Sequence, residues 1–72
     1  MSKINIFFLN GQKYSINNES KITLFELITY FNYNKALLVL EYNNLICNKK
    51  DWGSIFLKNK DKIEIVTIVG GG

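Results

Sequence analysis

Alternating apolar and polar positions open the chain and predict a β-hairpin. Between residues 3 and 9, isoleucine, phenylalanine and leucine recur with the two-residue period of a strand. Asn10-Gly11 follows, a dipeptide that is preferred in two-residue hairpin turns because both central residues need a positive φ. A second strand is then predicted at residues 13–16.

A helical period replaces the strand period after a polar loop. Thr23 and Glu26 have the spacing of a capping box, in which each side chain satisfies a free backbone N–H group at the start of a helix. Asn32 and Asn34 are suitable residues for its end. Apolar residues recur at i, i+3, i+4 and i+7, so one stripe can cover a sheet. This stripe consists of Leu24, Leu27, Ile28 and Phe31.

The second half of the chain returns to strand patterns. An apolar run at residues 36–42 predicts a central strand, and the turn-forming pair Asn43-Asn44 separates it from a short strand at residues 45–47. The segment 49–57 is irregular, and Trp52 within it is predicted to be a packing anchor. A turn at residues 59–61 leads into a last strand, predicted at Lys62–Val69.

This order of elements predicts an α+β fold. A hairpin, one helix, a returning pair of strands and a last strand in the middle of the sheet make the ubiquitin-like β-grasp arrangement, a mixed sheet of about five strands with one main helix on one face. We expect one β-grasp domain at residues 1–69 and a flexible glycine tail at residues 70–72.

Composition limits the function. A chain of 72 residues buries roughly 60% of its unfolded surface, so a large active-site cavity is not expected. Histidine is absent, which removes the usual general base near neutral pH. Cys47 stands alone in a predicted strand and is interpreted as a small buried apolar residue. The acidic residues Asp51, Asp61 and Glu64 form no pair and are assigned turn and surface roles.

Charge and hydropathy set further expectations. The net charge of +3 comes from lysines that are scattered along the chain, which is weak support for nucleic-acid binding. No apolar run approaches the roughly 20 residues of a membrane span. Abundant asparagine and isoleucine suggest an AT-rich genome. We therefore expect no nucleic acid and no membrane as partners, and a cytoplasmic protein, or one of the plastid stroma if it is organelle-encoded.

Three glycines end the sequence. Gly70, Gly71 and Gly72 have one plain interpretation, a loose end without a role. The other interpretation is a thin arm that presents the terminal carboxylate. Three extended residues reach roughly 10 Å, and without Cβ atoms they pass through a channel that other residues would block.

In this arrangement the chain resembles the ThiS-type sulfur carriers of thiamine biosynthesis, within the ubiquitin-like superfamily. The C-terminal block is the most specific part of the resemblance. Lys60 departs from the family pattern, which commonly has glycine there, and Asn59 is expected to supply a positive φ instead. The matching segments are Asn10-Gly11, residues 23–28, residues 43–46 leading to Trp52, residues 61–66 and residues 69–72.

The resemblance implies a reaction cycle that is performed by partner enzymes. A ThiF-like adenylyltransferase would use ATP and Mg²⁺ to form an acyl-adenylate at Gly72. A sulfur donor such as a cysteine desulfurase would supply sulfur for a thiocarboxylate, and thiazole synthase would receive it. Gly70 and Gly71 would give access to the channel. The chain itself would be a co-substrate and not an enzyme, with no bound cofactor and no metal.

Docking to those partners requires a surface. The alternation predicts that one set of side chains faces the core and that the opposite set, on the open sheet face, forms a partner interface. The predicted core set is Ile4, Ile6, Phe8, Ile63 and Ile65. The predicted interface consists of Phe7, Val66 and Ile68.

Other functions remain open at this point. A MoaD-like subunit of molybdopterin synthase shares the fold and tail chemistry but tends to have proline before the glycines, and this chain has no proline. A protein modifier that forms isopeptide bonds is a second alternative. A small RNA-binding β-grasp domain would explain the basic charge, but it gives no reason for the terminal glycines.

Overall fold

The computed structural model describes residues 4–17 and 21–67. The five strands are β1 (Ile4–Leu9), β2 (Gln12–Asn17), β3 (Leu38–Tyr42), β4 (Leu45–Cys47) and β5 (Asp61–Thr67), and the helix α1 is Leu24–Tyr30. Two short 3₁₀ turns occupy Lys35–Leu37 and Lys49–Asp51. No helix in this part of the chain is long and apolar enough to cross a membrane.

The strands form one mixed sheet in the order β2-β1-β5-β3-β4. Strand β5 lies in the centre, parallel to β1 and antiparallel to β3. The remaining pairs, β1 with β2 and β3 with β4, are antiparallel. The predicted fold class, a five-stranded mixed sheet with one main helix, is therefore confirmed.

Both predicted tight turns have the expected backbone. Leu9 lies opposite Gln12, and the two residues between them, Asn10 and Gly11, have φ angles of 51° and 82°. Positive φ at both central positions matches the right-handed twist of the flanking strands. The turn between β3 and β4 follows the same rule, since the φ angles of Asn43 and Asn44 are 51° and 73°.

The predicted capping box starts α1. The Thr23 hydroxyl accepts a hydrogen bond from the Glu26 N–H at 3.1 Å, and the Glu26 carboxylate accepts one from the Thr23 N–H at 2.8 Å. Two donors that the helix leaves unpaired are thus satisfied. The helix ends at Tyr30, and Asn32 follows with φ of 62°, in the left-handed region that asparagine tolerates.

The core lies between α1 and one face of the sheet. Leu24, Leu27 and Ile28 of the predicted stripe are buried, and Phe31 is partly buried against the same cluster. Trp52 is 1% exposed, and its indole N–H donates to the Cys47 carbonyl at 3.1 Å. The helix stripe and the tryptophan anchor are confirmed. From the sheet, the core takes Phe7, Leu9, Leu38, Leu40, Ile63 and Ile65.

The predicted facing of β1 is wrong by one residue. Phe7 is 4% exposed and belongs to the core, whereas Ile4 is 68% exposed and Ile6 and Phe8 are only half-buried. Apolar residues occupy both faces of β1, so alternation alone cannot choose between them. Strand pairing decides, because Phe7 lies opposite Tyr14 of β2 and beside Asp61 of β5, which both point toward the helix side.

The turn before β5 also differs from expectation. Lys60, not Asn59, has the positive φ, at 70°. Asn59 instead uses its side chain, whose Oδ1 accepts a hydrogen bond from the Ile6 N–H at 2.8 Å. The backbone N–H of Lys60 donates to the Ile6 carbonyl. Both backbone groups of Ile6 in β1, its N–H and its carbonyl, are therefore bonded to this turn.

Candidate functional site

Strand β5 carries the chain toward its C-terminus from the centre of the sheet. It pairs with β1 along its first half and with β3 as far as Thr67, which lies opposite Leu38. The predicted sulfur-carrying residue Gly72, the access residues Gly70 and Gly71, and Ile68 of the predicted interface lie outside the described residues. The described part of the candidate site is therefore the strand that leads to them and its supports.

A polar cluster fixes the start of β5. Asp61 is 6% exposed, and its carboxylate accepts hydrogen bonds from the Tyr42 hydroxyl at 2.7 Å, the Asn43 amide at 3.2 Å and the Lys58 N–H at 2.7 Å. A buried carboxylate is tolerated only when it has such partners. The turn role predicted for Asp61 is confirmed by its bond to Lys58, whereas the surface role is wrong because the residue is buried.

Two side chains of this cluster have shifted pKa values. Burial raises the pKa of Tyr42 above its ordinary 10.0, and the hydrogen bond to Asp61 adds to the effect because it favours the neutral phenol. The Lys58 ammonium donates to the Tyr42 hydroxyl at 3.3 Å, and this bond raises the pKa of Lys58 above 10.5. Both groups therefore keep their protons at neutral pH.

Asn10 supports β5 farther along. Its N–H donates to the Ile63 carbonyl at 2.9 Å, and its side-chain Oδ1 accepts from the Ile65 N–H at 2.7 Å. The side chain takes the place of a backbone carbonyl that β1 no longer supplies, because the chain has already turned away at Gly11. One turn residue therefore extends the ladder between β1 and β5 toward the C-terminus.

The open sheet face near this end is partly apolar. Val66 is 56% exposed and lies opposite Val39 on β3, and Ile46 on β4 is 71% exposed. The predicted location of Val66 on the open face is therefore confirmed, whereas its contact with a partner stays a prediction. Phe7 is removed from the predicted interface, because its side chain lies in the core on the opposite face.

Two glutamates occupy directly opposite positions beside this apolar area. Glu41 of β3 lies directly opposite Glu64 of β5, and both side chains are half-buried. Like charges at directly opposed positions destabilise a sheet. The pair places local negative charge on a chain whose net charge is positive.

Cys47 is not prepared for nucleophilic chemistry. It is half-buried, and burial together with the nearby Asp51 raises the pKa of the thiol. A raised pKa keeps the thiol protonated and weakly reactive at neutral pH. This environment agrees with the predicted role as a small apolar residue.

The sequence contained a signal for some of the side-chain hydrogen bonds that were not predicted. The asparagines at tight turns, Asn10 and Asn43, were predicted as turn residues, but their side chains also bond to β5. Asparagine has one acceptor and two donors, so a turn asparagine next to a central strand is a candidate for such a bond. Nothing local signalled the burial of Asp61, because its partners Tyr42 and Asn43 are 19 and 18 residues away.

The fold and the central strand define a β-grasp domain of the ubiquitin-like class, in which the last described strand, β5, lies in the centre of the sheet. The statistical model of the ThiS family matches residues 7–72, and the chain belongs to that family. The match includes the terminal glycines that the structure does not describe.

Related sequences extend over most of the chain. It is 58% identical over 72 residues to an uncharacterized protein, ycf40, of Trieres chinensis, a match that covers 100% of this chain and 96% of the relative. It is 31% identical over 64 residues to the ycf40 protein of Porphyra purpurea and 33% identical to that of Pyropia yezoensis. Each of these two matches covers 89% of this chain and 87% of the relative.

Solved structures share the fold. The crystal structure of the thiamine biosynthesis protein ThiS from Geobacter metallireducens superimposes with a TM-score of 0.78 at 18% sequence identity, covering 93% of this chain and 99% of that one. A solution NMR structure of a thiamine biosynthesis protein from the same organism gives a TM-score of 0.74 at 19% identity, covering 93% and 87% of the two chains. At this level of identity, the likeness establishes the fold.

Proposed function

We propose that this protein is a sulfur carrier whose C-terminal Gly72 carboxylate is adenylated and then converted to a thiocarboxylate. The observation that carries the proposal is the central strand β5, which is held on both flanks and runs toward three terminal glycines. Membership of the ThiS family supports it. The chain acts as a co-substrate of partner enzymes and not as an enzyme.

The chemistry requires activation because an ionised carboxylate is a poor electrophile. With a reference pKa of about 3.5, the terminus is ionised at neutral pH. In the proposed cycle, a ThiF-like adenylyltransferase uses ATP and Mg²⁺, and Gly72 attacks the α-phosphate and releases pyrophosphate. Persulfide sulfur from a donor such as a cysteine desulfurase then displaces AMP, and a thiol cleaves the S–S bond to leave the thiocarboxylate.

Delivery through a narrow channel explains why glycine would be needed near the terminus. Gly70 and Gly71 have no Cβ atoms, so they can follow any backbone path and occupy little width. In this proposal β5 supplies a fixed base for the arm, since Asp61 and Asn10 tie the strand to the rest of the sheet. The arm supplies the reach.

Docking in this proposal uses the open sheet face near the end of β5. Val66 contributes exposed apolar area, and Ile68 is proposed to extend it. Glu41 and Glu64 add negative charge, so the matching partner surface is apolar with basic residues around it. A partner cation between the two carboxylates would relieve their repulsion.

The proposed acceptor is thiazole synthase, which incorporates the sulfur during thiamine biosynthesis. The ycf40 names of the relatives suggest a plastid-encoded protein, and we place the proposed cycle in the plastid stroma. A molybdopterin precursor is the alternative acceptor. Incubating the thiocarboxylate form with thiazole synthase, or with the large subunit of molybdopterin synthase and the molybdopterin precursor, distinguishes the two.

Truncation of the arm tests the proposal. Deleting Gly72 withdraws the carboxylate by roughly 3.5 Å, and misplacement by about 1 Å at a reacting centre can cost on the order of 10²-fold in rate. Gly71→Val blocks the channel by its branched side chain. Both variants should lose ATP–pyrophosphate exchange with the adenylating enzyme by about 10²-fold or more, and mass spectrometry should detect no replacement of oxygen by sulfur.

Gly53→Val is the matched control. Gly53 is exposed, and a Cβ placed on it meets no atom within 4 Å, so the same substitution there should leave exchange unchanged. All variants should unfold at the wild-type temperature, because neither tail change removes a described core contact. Normal adenylation and thiocarboxylate formation in both tail variants would refute the carrier function.

A further inference from the structure

A groove between α1 and β2 lies away from β5. It has a volume of about 460 Å³, is partly open to solvent and lies beside β2, the edge strand of the sheet order. Its floor is a series of aromatic rings, since Phe7 stacks on Tyr14, whose ring meets the edge of Phe31, which in turn contacts Tyr30. The principal lining residues are Phe7, Tyr14, Ile16, Leu27, Tyr30 and Phe31.

Two of the polar side chains that line the groove, Glu26 and Tyr14, already make hydrogen bonds. The Glu26 carboxylate accepts hydrogen bonds from Thr23 within the capping box, and the Tyr14 hydroxyl donates to the Gln12 side chain at 2.9 Å. A polar ligand would compete with these contacts. Exposed aromatic surface of this kind instead favours apolar side chains, which gain by leaving water.

The rim of the groove is a strand edge whose backbone faces outward. Ile6 uses both of its backbone groups on the β5 side, because its N–H donates to Asn59 and its carbonyl accepts from Lys60. Ser15 lies opposite Ile6 in the hairpin. This pair therefore makes no backbone hydrogen bonds between β1 and β2. The N–H and C=O of Ser15 point away from β1, as do those of Lys13 by the same alternation.

We propose that this groove and the β2 edge together bind an extended peptide segment of a partner protein, which adds a sixth strand beside β2. Backbone groups of the segment pair with Lys13 and Ser15, and every second side chain, an apolar one, enters the aromatic groove. This site lies on the opposite side of the sheet order from β4 and does not depend on sulfur chemistry at the C-terminus.

A second copy of this chain fits the groove poorly. Two β2 edges could pair, but the groove-side residues of each β2 are Tyr14 and Ile16, and Tyr14 already packs on its own Phe7 and Phe31. A second copy would therefore cover the edge and leave the groove empty. A segment whose side chains are not already packed can cover the β2 edge and fill the groove at the same time. The occupant is therefore identified as a separate extended peptide.

The test uses a panel of capped heptapeptides in which valine, isoleucine, leucine or phenylalanine alternates with threonine. Peptides are titrated to about 1 mM, the weak end of specific binding, while amide and ring signals of the labelled protein are followed by NMR. We expect saturable shifts at Lys13, Ser15, Tyr14 and Phe31. The same peptide with methylated backbone nitrogens should bind at least about tenfold more weakly, since it cannot donate to the edge.

Ser15→Pro tests the same bonds from the protein side. Proline removes the outward N–H but no bond to β1, and it is tolerated on edge strands, so binding should weaken by about tenfold while the hairpin remains. Ser15→Ala is the matched control and should bind as the wild type does. If Ser15→Pro fails to fold, the methylated peptide still decides the question.

Several outcomes would overturn the proposal. Absence of binding by every peptide of the panel is one, and equal binding of the methylated and unmethylated peptides is another. Shifts confined to β4 would place the site elsewhere. A concentration-dependent dimer that involves β2 would identify a second copy as the occupant.

Discussion

Two positions near opposite ends of β5, and on opposite faces of the sheet, differ in burial and in bonding. At the start, Asp61 is 6% exposed and receives three hydrogen bonds, and Phe7 beside it belongs to the core. Toward the other end, Val66 is 56% exposed. One strand thus joins a closed, polar, fully satisfied anchor to an apolar surface that is open to contact. In the proposed function, the polar cluster around Asp61 fixes the strand, and the exposed surface at Val66 contacts the partner.

The largest contrast is expected between Phe7 and Val66. Phe7→Ala should lower the free energy of unfolding by about 3–5 kcal/mol because it leaves a cavity in the core. Val66→Ala should change it by no more than about 0.5 kcal/mol, as is usual at exposed positions. Urea unfolding at neutral pH measures both. Equal losses would show that Phe7, beside the start of β5, and Val66, near its end, do not differ in packing.

Binding to the adenylating enzyme should show the reverse order. Val66→Asp should raise the KM for the carrier. Phe7→Leu should leave the KM near the wild-type value, because only a small fraction of that variant is unfolded. A wild-type KM in Val66→Asp would remove Val66 from the proposed interface and leave it as an ordinary exposed residue.

The next largest effect concerns Asp61. Asp61→Ala removes the acceptor of three donors and should cost about 2–4 kcal/mol in the free energy of unfolding, because hydrogen bonds to a charged group contribute about 1.5–3 kcal/mol each and are not additive. Asp61→Asn keeps a carbonyl oxygen at the same place and should cost less. Equal losses in the two variants would show that the charge, and not the acceptor, is what the cluster needs.

Alkaline pH should weaken the anchor through Tyr42 and Lys58. Both pKa values are raised in the folded protein, so the folded state holds these protons more tightly than the unfolded state does. Their contribution is complete below the ordinary values of 10.0 and 10.5 and is lost as pH rises through the raised ones. Stability should therefore fall above about pH 10.

Tyr42→Phe isolates this contribution. It should cost about 0.5–1.5 kcal/mol at neutral pH through the lost hydrogen bond to Asp61, and it should flatten the alkaline part of the stability curve. Guanidinium unfolding of both proteins between neutral pH and pH 11 provides the measurement. Parallel curves would mean that Tyr42 and Lys58 titrate alike in the folded and unfolded states.

Whether a feature could be predicted depended on how far apart in the sequence its interacting residues lie. The Asn10-Gly11 turn and the Thr23 capping box are set by residues within three positions of one another, and both were predicted correctly. The burial of Asp61 was not predicted, because two of its three partners, Tyr42 at the end of β3 and Asn43 in the turn after it, are distant in the sequence. In the proposed function, the chemistry at the terminal glycines is assigned to a partner enzyme, so no contact within this chain would have predicted it.

The facing of β1 could have been predicted from its neighbour. The turn fixes Leu9 opposite Gln12, and counting back along the hairpin places Phe7 opposite Tyr14. On β2 the alternation is unambiguous, since Tyr14 and Ile16 are apolar while Lys13 and Ser15 are polar. Residues opposite each other share a face, so the apolar face of β2 identifies the core side of β1. Alternation within β1 alone lacked this information.

The smallest expected effect, at Glu64, separates stability from docking. Glu64→Lys replaces the repulsion with Glu41 by attraction, and should raise the free energy of unfolding by about 0.2–1 kcal/mol. If the open face docks onto a basic partner, the same change should raise the KM for the adenylating enzyme, most strongly at low salt, where charge attraction is least screened. Urea unfolding and pyrophosphate exchange at two salt concentrations measure the two effects.

Glu41→Lys should stabilise equally, and the double Lys variant should lose the gain because like charges again face each other. A more stable protein with an unchanged KM would leave the carboxylate pair without a part in docking, and a less stable one would show that the two carboxylates do not repel each other.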